Sequence, residues 1–252
     1  MTTDAFGPRA ERYRKSRGHA NPRALESIVE LVAPKGDELL LDIGTGPGHT
    51  AVAFAPYVKM AVASDLSIPM LQQVPIVADG KGVDNVVSVA VEVHAIPFAD
   101  CVFDLVTCRM AAHHFREAGL AVKEMARVCK LGGRVLVVDV SSPEDPKAFD
   151  LLNTVERLRD PSHTYSQTST RWQEAYRAAG LLLESLSVTR HPFHITKDWL
   201  DRTDTPQEKR QEIERLLREA AESGYPGLGV GQSKDGNWFI GNYQIQILGS
   251  KL

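Results

Sequence analysis

Apolar residues in the first 140 positions fall into short unbroken runs, and the stretches between them repeat with helical spacing. The runs predict strands over 38–43, 60–64, 86–91, 103–108 and 133–139, with helices over 48–57, 67–74 and 117–129. A strand that is apolar on both faces must be covered on both faces, so strands alternating with helices imply a parallel sheet between two helical layers. Ahead of the first strand, Asn21-Pro22 is a good helix start, an N-cap followed by proline in the first turn. Leu25, Ile28, Val29 and Val32 then repeat at helical spacing until Pro34-Lys35-Gly36 ends the helix. Ala10 to Arg17 reads as a charged helical arm with Tyr13 as its one aromatic. After Asp139 the rhythm breaks. Helices are predicted near 147–158, 169–179 and 196–222, a sixth strand over Leu181–Val188, a glycine-rich loop from Ser223 to Gly236 and a last strand over Trp238–Leu248.

The first strand, Leu39-Leu40-Leu41-Asp42-Ile43, runs straight into Gly44-Thr45-Gly46-Pro47-Gly48. Glycine permits backbone conformations that a Cβ forbids, so a ligand can lie directly on the main chain. Such a turn at the carboxyl end of the first strand is where open α/β sheets bind nucleotides. The second strand ends in Asp65. The third block, Val91-Glu92-Val93-His94-Ala95-Ile96-Pro97-Phe98, precedes the fourth strand, and Arg109-Met110-Ala111-Ala112-His113-His114-Phe115 follows it.

Composition narrows the class. Charged residues make up 24% and hydrophobic residues 43% of the chain, as in ordinary globular domains. A net charge of −3 argues against a nucleic-acid partner, which demands clustered Lys and Arg. No segment approaches the ~20 apolar residues of a membrane span. The stretch Met1–Arg9 has no apolar core of a signal peptide. Cys101, Cys108 and Cys129 have no metal-ligand spacing and read as reduced core thiols, so no metal is expected. These features together predict a cytoplasmic protein.

In order and spacing these blocks resemble the class I S-adenosylmethionine-dependent methyltransferases, in particular the group that includes the ubiquinone and menaquinone biosynthesis enzymes. The resemblance covers roughly residues 10 to 140. It implies a Rossmann-like, doubly wound α/β sheet of seven strands, mostly parallel with an antiparallel edge strand, with helices on both faces. The whole chain, 1–252, would be one domain, its cofactor half at about 20–140 and substrate-side insertions at about 141–180 and 189–236. The cofactor it implies is S-adenosylmethionine, held on Gly44, Thr45 and Gly46. Asp42 would serve the methionine amino end and Asp65 both ribose hydroxyls. Leu66 would lie on the adenine, Glu92 would accept its amino group, and the Val93 N–H would serve the ring. Arg109 would line the methionine side, and Tyr13 and His19 would fold over the cofactor. Relatives carry Asp where this chain has Glu92.

Methyl transfer is an in-line displacement on an already activated methyl, so positioning carries much of the rate. A base matters where the acceptor is protonated, and histidine titrates near neutrality. His113 and His114 past the fourth strand, and His163 in the insertion after the fifth, are the candidates. Asp104 reads as structural and Pro97-Phe98 as a packing turn. Trp172, Trp199 and Trp238 read as core aromatics, with an acceptor pocket as the alternative. The expected partner is a small-molecule acceptor methylated at carbon or oxygen. The alternatives are a cofactor-binding scaffold without turnover and a nicotinamide-dependent oxidoreductase. The latter fits poorly: the turn is Gly-x-Gly-x-Gly rather than Gly-x-Gly-x-x-Gly, and no Tyr has a Lys four residues on.

Overall fold

A computed structural model of the chain describes residues 7–16, 18–225 and 227–252. Its strands are β1 (Leu39–Ile43), β2 (Met60–Asp65), β3 (Val86–Ala90), β4 (Phe103–Arg109), β5 (Cys129–Ser141), β6 (Leu181–His194), β7 (Gly231–Gln232) and β8 (Trp238–Lys251). They form one sheet in the order β3-β2-β1-β4-β5-β8-β6, with β7 paired to β8 outside that path. The first five strands pair in parallel. β8 inserts between β5 and β6 and runs antiparallel to both, giving the expected antiparallel edge pair with β6 outermost.

Helices cover both faces: α1 (Ala10–Arg14), α2 (Pro22–Val32), α3 (His49–Phe54), α4 (Ile68–Leu71), α5 (Val74–Asp79), α6 (Ala118–Val128), α7 (Pro146–Arg159), α8 (Ser169–Ala178), α9 (Lys197–Asp201) and α10 (Gln207–Ser223). The Asn21 side chain caps α2 by accepting from the Arg23 and Ala24 N–H groups, as its sequence predicts. Alternate residues of each strand serve opposite cores. Leu40, Leu105, Leu136 and Leu248 meet Ile28 and Val32 of α2 and Phe54 of α3. Leu41, Val106, Val135 and Ile247 meet Met125 of α6 and Trp172 and Tyr176 of α8. Each such fully buried side chain contributes about 1.5–3 kcal/mol, which is what docks an amphipathic helix that would be marginal alone. A third cluster, from Leu152 and Val155 of α7, Trp199, Leu217 of α10, Leu228 and Ile240, lies beyond the sheet on the far arms of β6 and β8.

Several expected elements divide or lengthen. The 67–74 helix is two short helices, α4 and α5. The 196–222 helix breaks at residues 202–206, where Asp204 takes φ +53° and Pro206 follows. β6 and β8 run past their predicted ends to His194 and Lys251, and the expected loop 223–236 carries β7; Pro226 within it lies outside the described residues. Of the predicted arm 10–17, α1 takes 10–14 and Arg17 lies outside the described residues. Cys108 and Cys129 are buried but Cys101 is exposed, because it occupies a turn at φ +59°. Asp104 is structural: it accepts from Leu39 N–H at 2.9 Å and pairs with Lys130 at 2.8 Å.

The N-terminal arm is strapped down at both ends. Arg9 donates to the Thr203 carbonyl at 2.8 Å and Arg12 pairs with Asp204 at 3.1 Å, tying the arm to the segment after α9. Arg14 donates to the Gln73 side chain at 3.0 Å, and its carbonyl lies 3.1 Å from His49 Nε2, tying the arm to the sheet half.

Candidate active site

β1 delivers its turn to the carboxyl edge of the sheet. Gly44 sits at φ +63°, and a Cβ there would stand 2.5 Å from the Ala111 Cβ. Gly44→Ala is therefore expected to cost about 1–3 kcal/mol by overpacking and strain. A urea midpoint within error of wild type would contradict this. Gly46, at φ +55°, has nothing within 4 Å on its Cβ side, so its backbone lies bare. The Asp65 carboxylate accepts from Gly46 N–H and from Ser67 N–H, both at 2.8 Å, and burial raises its pKa. Asp42 stands behind the turn rather than in it. It is fully buried, accepts from the Thr45 hydroxyl at 2.6 Å and the Thr107 hydroxyl at 2.7 Å, and is pushed up to about 6 by burial. Both hydroxyls hold its carboxylate on the sheet side of the turn.

A narrow pocket of about 60 Å³ lies against this turn, lined by Gly44, Thr45, Gly46, Asp65, Met70 and Arg109 among others. Tyr13 and His19 also line it, their rings 5.1 Å apart, so the arm does fold over this region. Arg109 donates from Nε to the Thr50 hydroxyl at 3.0 Å and from its other end to the His19 carbonyl, clamping the arm to α3. Leu66, Glu92 and Val93 line neither this pocket nor the larger one beside it. Glu92 folds back on its own loop, bonding the His94 N–H at 2.9 Å and its ring at 2.7 Å. Val93 is buried in the core.

The larger cavity, about 530 Å³, adjoins the first and shares Tyr13, His19, Arg109, Met110 and His114 with it. His113 opens onto it. Asp139, fully buried, accepts from His113 Nδ1 at 2.6 Å and from the His113 N–H at 2.9 Å. A carboxylate is acceptor-only, so Nδ1 carries the proton and Nε2 is left with its lone pair. Burial pulls the His113 pKa down, but the Asp139 charge and hydrogen bond outweigh it and hold it above the ordinary value. The other two histidines differ. His114 lies 4.0 Å from His113 ring to ring, with Nδ1 at 3.1 Å from the Ser162 carbonyl, and burial depresses it to about 3. His163 is buried outside both cavities, its Nε2 bonded to Asn153 Oδ1 at 2.9 Å, and burial depresses it to about 2. Its ring packs 5.5 Å from that of His113 and lines neither cavity, a place that suits support of the His113 ring.

Sequence reading missed part of this lining. Asn242, Gln244 and Gln246 on β8, with Ser187 and Thr189 on β6, face the larger cavity. The signal was present: Asn242-x-Gln244-x-Gln246 alternates with Ile245 and Ile247, a strand with one polar face. Arg159 and Arg202 line the same cavity. Trp199 lines it too, under the Arg159 guanidinium at 4.4 Å, whereas Trp172 is in the sheet core and Trp238 in the outer cluster.

The turn fits S-adenosylmethionine. A bare glycine backbone beside a buried, hydrogen-bonded carboxylate suits hydroxyl donors, and the lining offers no cluster of cations for a phosphate. Residues 41–137 match the methyltransferase domain family. The methyltransferase YcgJ of Bacillus subtilis (strain 168) is 36% identical over 88% of this chain and 88% of its own length. The demethylmenaquinone methyltransferase of Roseiflexus castenholzii is 34% identical over 48% of this chain and 50% of its own. A crystal structure of a putative methyltransferase from Bacillus halodurans superposes with a TM-score of 0.85 at 34% identity, covering 90% of this chain and 98% of that one. Sheet order, glycine turn and these likenesses agree: the chain belongs to the class I S-adenosylmethionine-dependent methyltransferases.

Proposed function

We propose that this enzyme methylates a small-molecule acceptor, at carbon or oxygen, in the larger cavity, with His113 as general base. The observation that carries the reading is the adjacency of two cavities, one on the glycine turn beside Asp65 and one beside the His113–Asp139 pair, with Arg109, Met110 and His114 as shared walls. When bound, S-adenosylmethionine supplies a methyl group activated on a sulfonium. The chain's own residues then position, enclose and deprotonate. Asp65 would accept the ribose hydroxyls, Thr45 and Gly46 would present backbone to the ligand, and Leu66 and the Val93 N–H would meet the adenine. Glu92 reaches the adenine only by releasing His94. His113 Nε2 takes the acceptor proton, and Asp139 stabilises the imidazolium that results. Tyr13 and His19 close the site against water. The name of the Roseiflexus relative supports a metabolite acceptor over nucleic acid. Among the described residues no helix is long and apolar enough to cross a membrane. We place the reaction in the cytoplasm.

Calorimetric titration with S-adenosylmethionine and with S-adenosylhomocysteine tests the cofactor half. Wild type is expected to bind both, and Asp65→Ala to weaken both at least tenfold, since a carboxylate accepting two hydroxyls contributes on the order of 1.5–3 kcal/mol for each hydrogen bond. Equal affinity in the variant would remove Asp65 from the site. No binding to a wild-type protein free of co-purified cofactor would overturn the assignment.

A further inference from the structure

We infer that the acceptor is a hydrophilic anion, a small molecule bearing a carboxylate or phosphate, held by Arg202 beside Arg159. This rests on the reading of the larger cavity as the acceptor site. One face of β8 changes character along its length: Leu248 is buried in the sheet core, then Gln246, Gln244 and Asn242 follow into the cavity. Across the ladder Ser187 pairs with Gln246 and Thr189 with Gln244, which widens the polar strip. None of these five side chains has a hydrogen-bond partner among the described residues. A lipophilic acceptor seated on them would leave each desolvated and unpaired, at about 1–3 kcal/mol apiece.

The charges point the same way. Arg159 is fixed: it pairs with Glu156 at 3.1 Å, donates to the Trp199 carbonyl at 3.3 Å and stacks on the Trp199 ring. Arg202 lines the cavity, and its guanidinium has no hydrogen bond or ion pair among the described residues. Of the two acids whose charge favours the Arg202 guanidinium, Glu156 lines the cavity and Asp198 is exposed outside it. Glu156 serves Arg159, and one Asp160 oxygen accepts both the Ser162 N–H, at 3.0 Å, and the Ser162 hydroxyl, at 2.7 Å. Burial, then the charge of Arg159, hold Arg202 below the ordinary arginine range, so the two guanidiniums repel. An anion between them relieves that repulsion, and the planar fork of a guanidinium matches both carboxylate and phosphate.

The test uses protein saturated with S-adenosylhomocysteine, titrated at constant ionic strength with inorganic phosphate, with malonate, and with glycerol as a neutral control. Wild type is expected to bind at least one anion and not glycerol, and the stronger of the two names the acceptor's anionic group. R202Q is expected to weaken that binding at least tenfold, and R202K to fall between the two. Unchanged S-adenosylhomocysteine affinity and unfolding temperature in R202Q would show that the fold and the turn are intact. Anion binding equal in wild type and R202Q, or absent from wild type that binds S-adenosylhomocysteine, overturns this inference alone. Failure of wild type to bind S-adenosylhomocysteine overturns the methyltransferase reading and this one with it.

Discussion

Replacing His113 by Gln is expected to lower kcat by roughly 10²–10⁴, the usual range for removing a positioned general base, with cofactor affinity changed by no more than a few-fold. Gln still donates to Asp139 but cannot take a proton. The pH profile separates chemistry from positioning. A base works deprotonated, and the His113 pKa is held above its ordinary value by Asp139, so turnover should climb through and beyond pH 6.5 to an alkaline plateau. In Asp139→Asn the carboxylate is gone and burial prevails, so the acid limb should shift to lower pH while the plateau falls. Steady-state kinetics across pH, with any acceptor that supports turnover, reads both effects. A His113→Gln enzyme within fivefold of wild type, with an unmoved acid limb, would make His113 a wall of the cavity and nothing more.

Acid should destabilise this protein from about pH 6 downward, above the range in which ordinary carboxylates protonate. His19 and His114 are held near 3 and His163 near 2 by burial, whereas each titrates near 6.5 in the unfolded chain. Between those values the unfolded state binds protons that the folded state refuses. Stability therefore falls with acid by about 1.4 kcal/mol per pH unit for each histidine. Asp42 works in the opposite sense. Its folded-state value of about 6 lies above its unfolded one, so below pH 6 it offsets one histidine, and the raised Asp65 adds to that offset. The balance is a loss of about 1–3 kcal/mol per unit below pH 6, a large fraction of the 5–15 kcal/mol that domains possess. Urea unfolding at half-unit steps from pH 7.5 to 4.5 measures it. His163→Gln, which keeps a donor toward Asn153, should flatten the slope by about one proton. A stability that stays level down to pH 4.5 would refute the account.

The sheet half was legible because its rules are local. Leu39–Ile43 is apolar on both faces but for Asp42 near its end, which predicts a covered parallel strand, and Asn21 caps α2 by its own side chain. The site's first layer was legible for the same reason: Gly44, Gly46 and Asp65 lie at strand ends. The position of Asp42 was legible, but its bonds to the Thr45 and Thr107 hydroxyls were not, because Thr107 comes from a different strand. The acceptor side resisted because its determinants are non-local. His163 and His113 are indistinguishable as residues. One is bonded to Asn153 and the other to Asp139, and only tertiary contacts decide that. Arg202 fell inside a stretch read as one long helix, because the break at 202–206 depends on an Asp at positive φ held by Arg9 and Arg12 from the other end of the chain. Gln244 and Gln246 were visible as an alternation, but what their face would meet was not.

The strap formed by residues 9–14 has a consequence for the site. Tyr13 and His19 are walls of both chambers at once, and the strap is anchored to two separate parts of the fold, at Gln73 and His49 and at Thr203 and Asp204. Any displacement of this strap shifts a wall of both chambers together, so the shape of one is tied to the shape of the other. Two pockets suited to unrelated chemistries thus depend on one short stretch of chain.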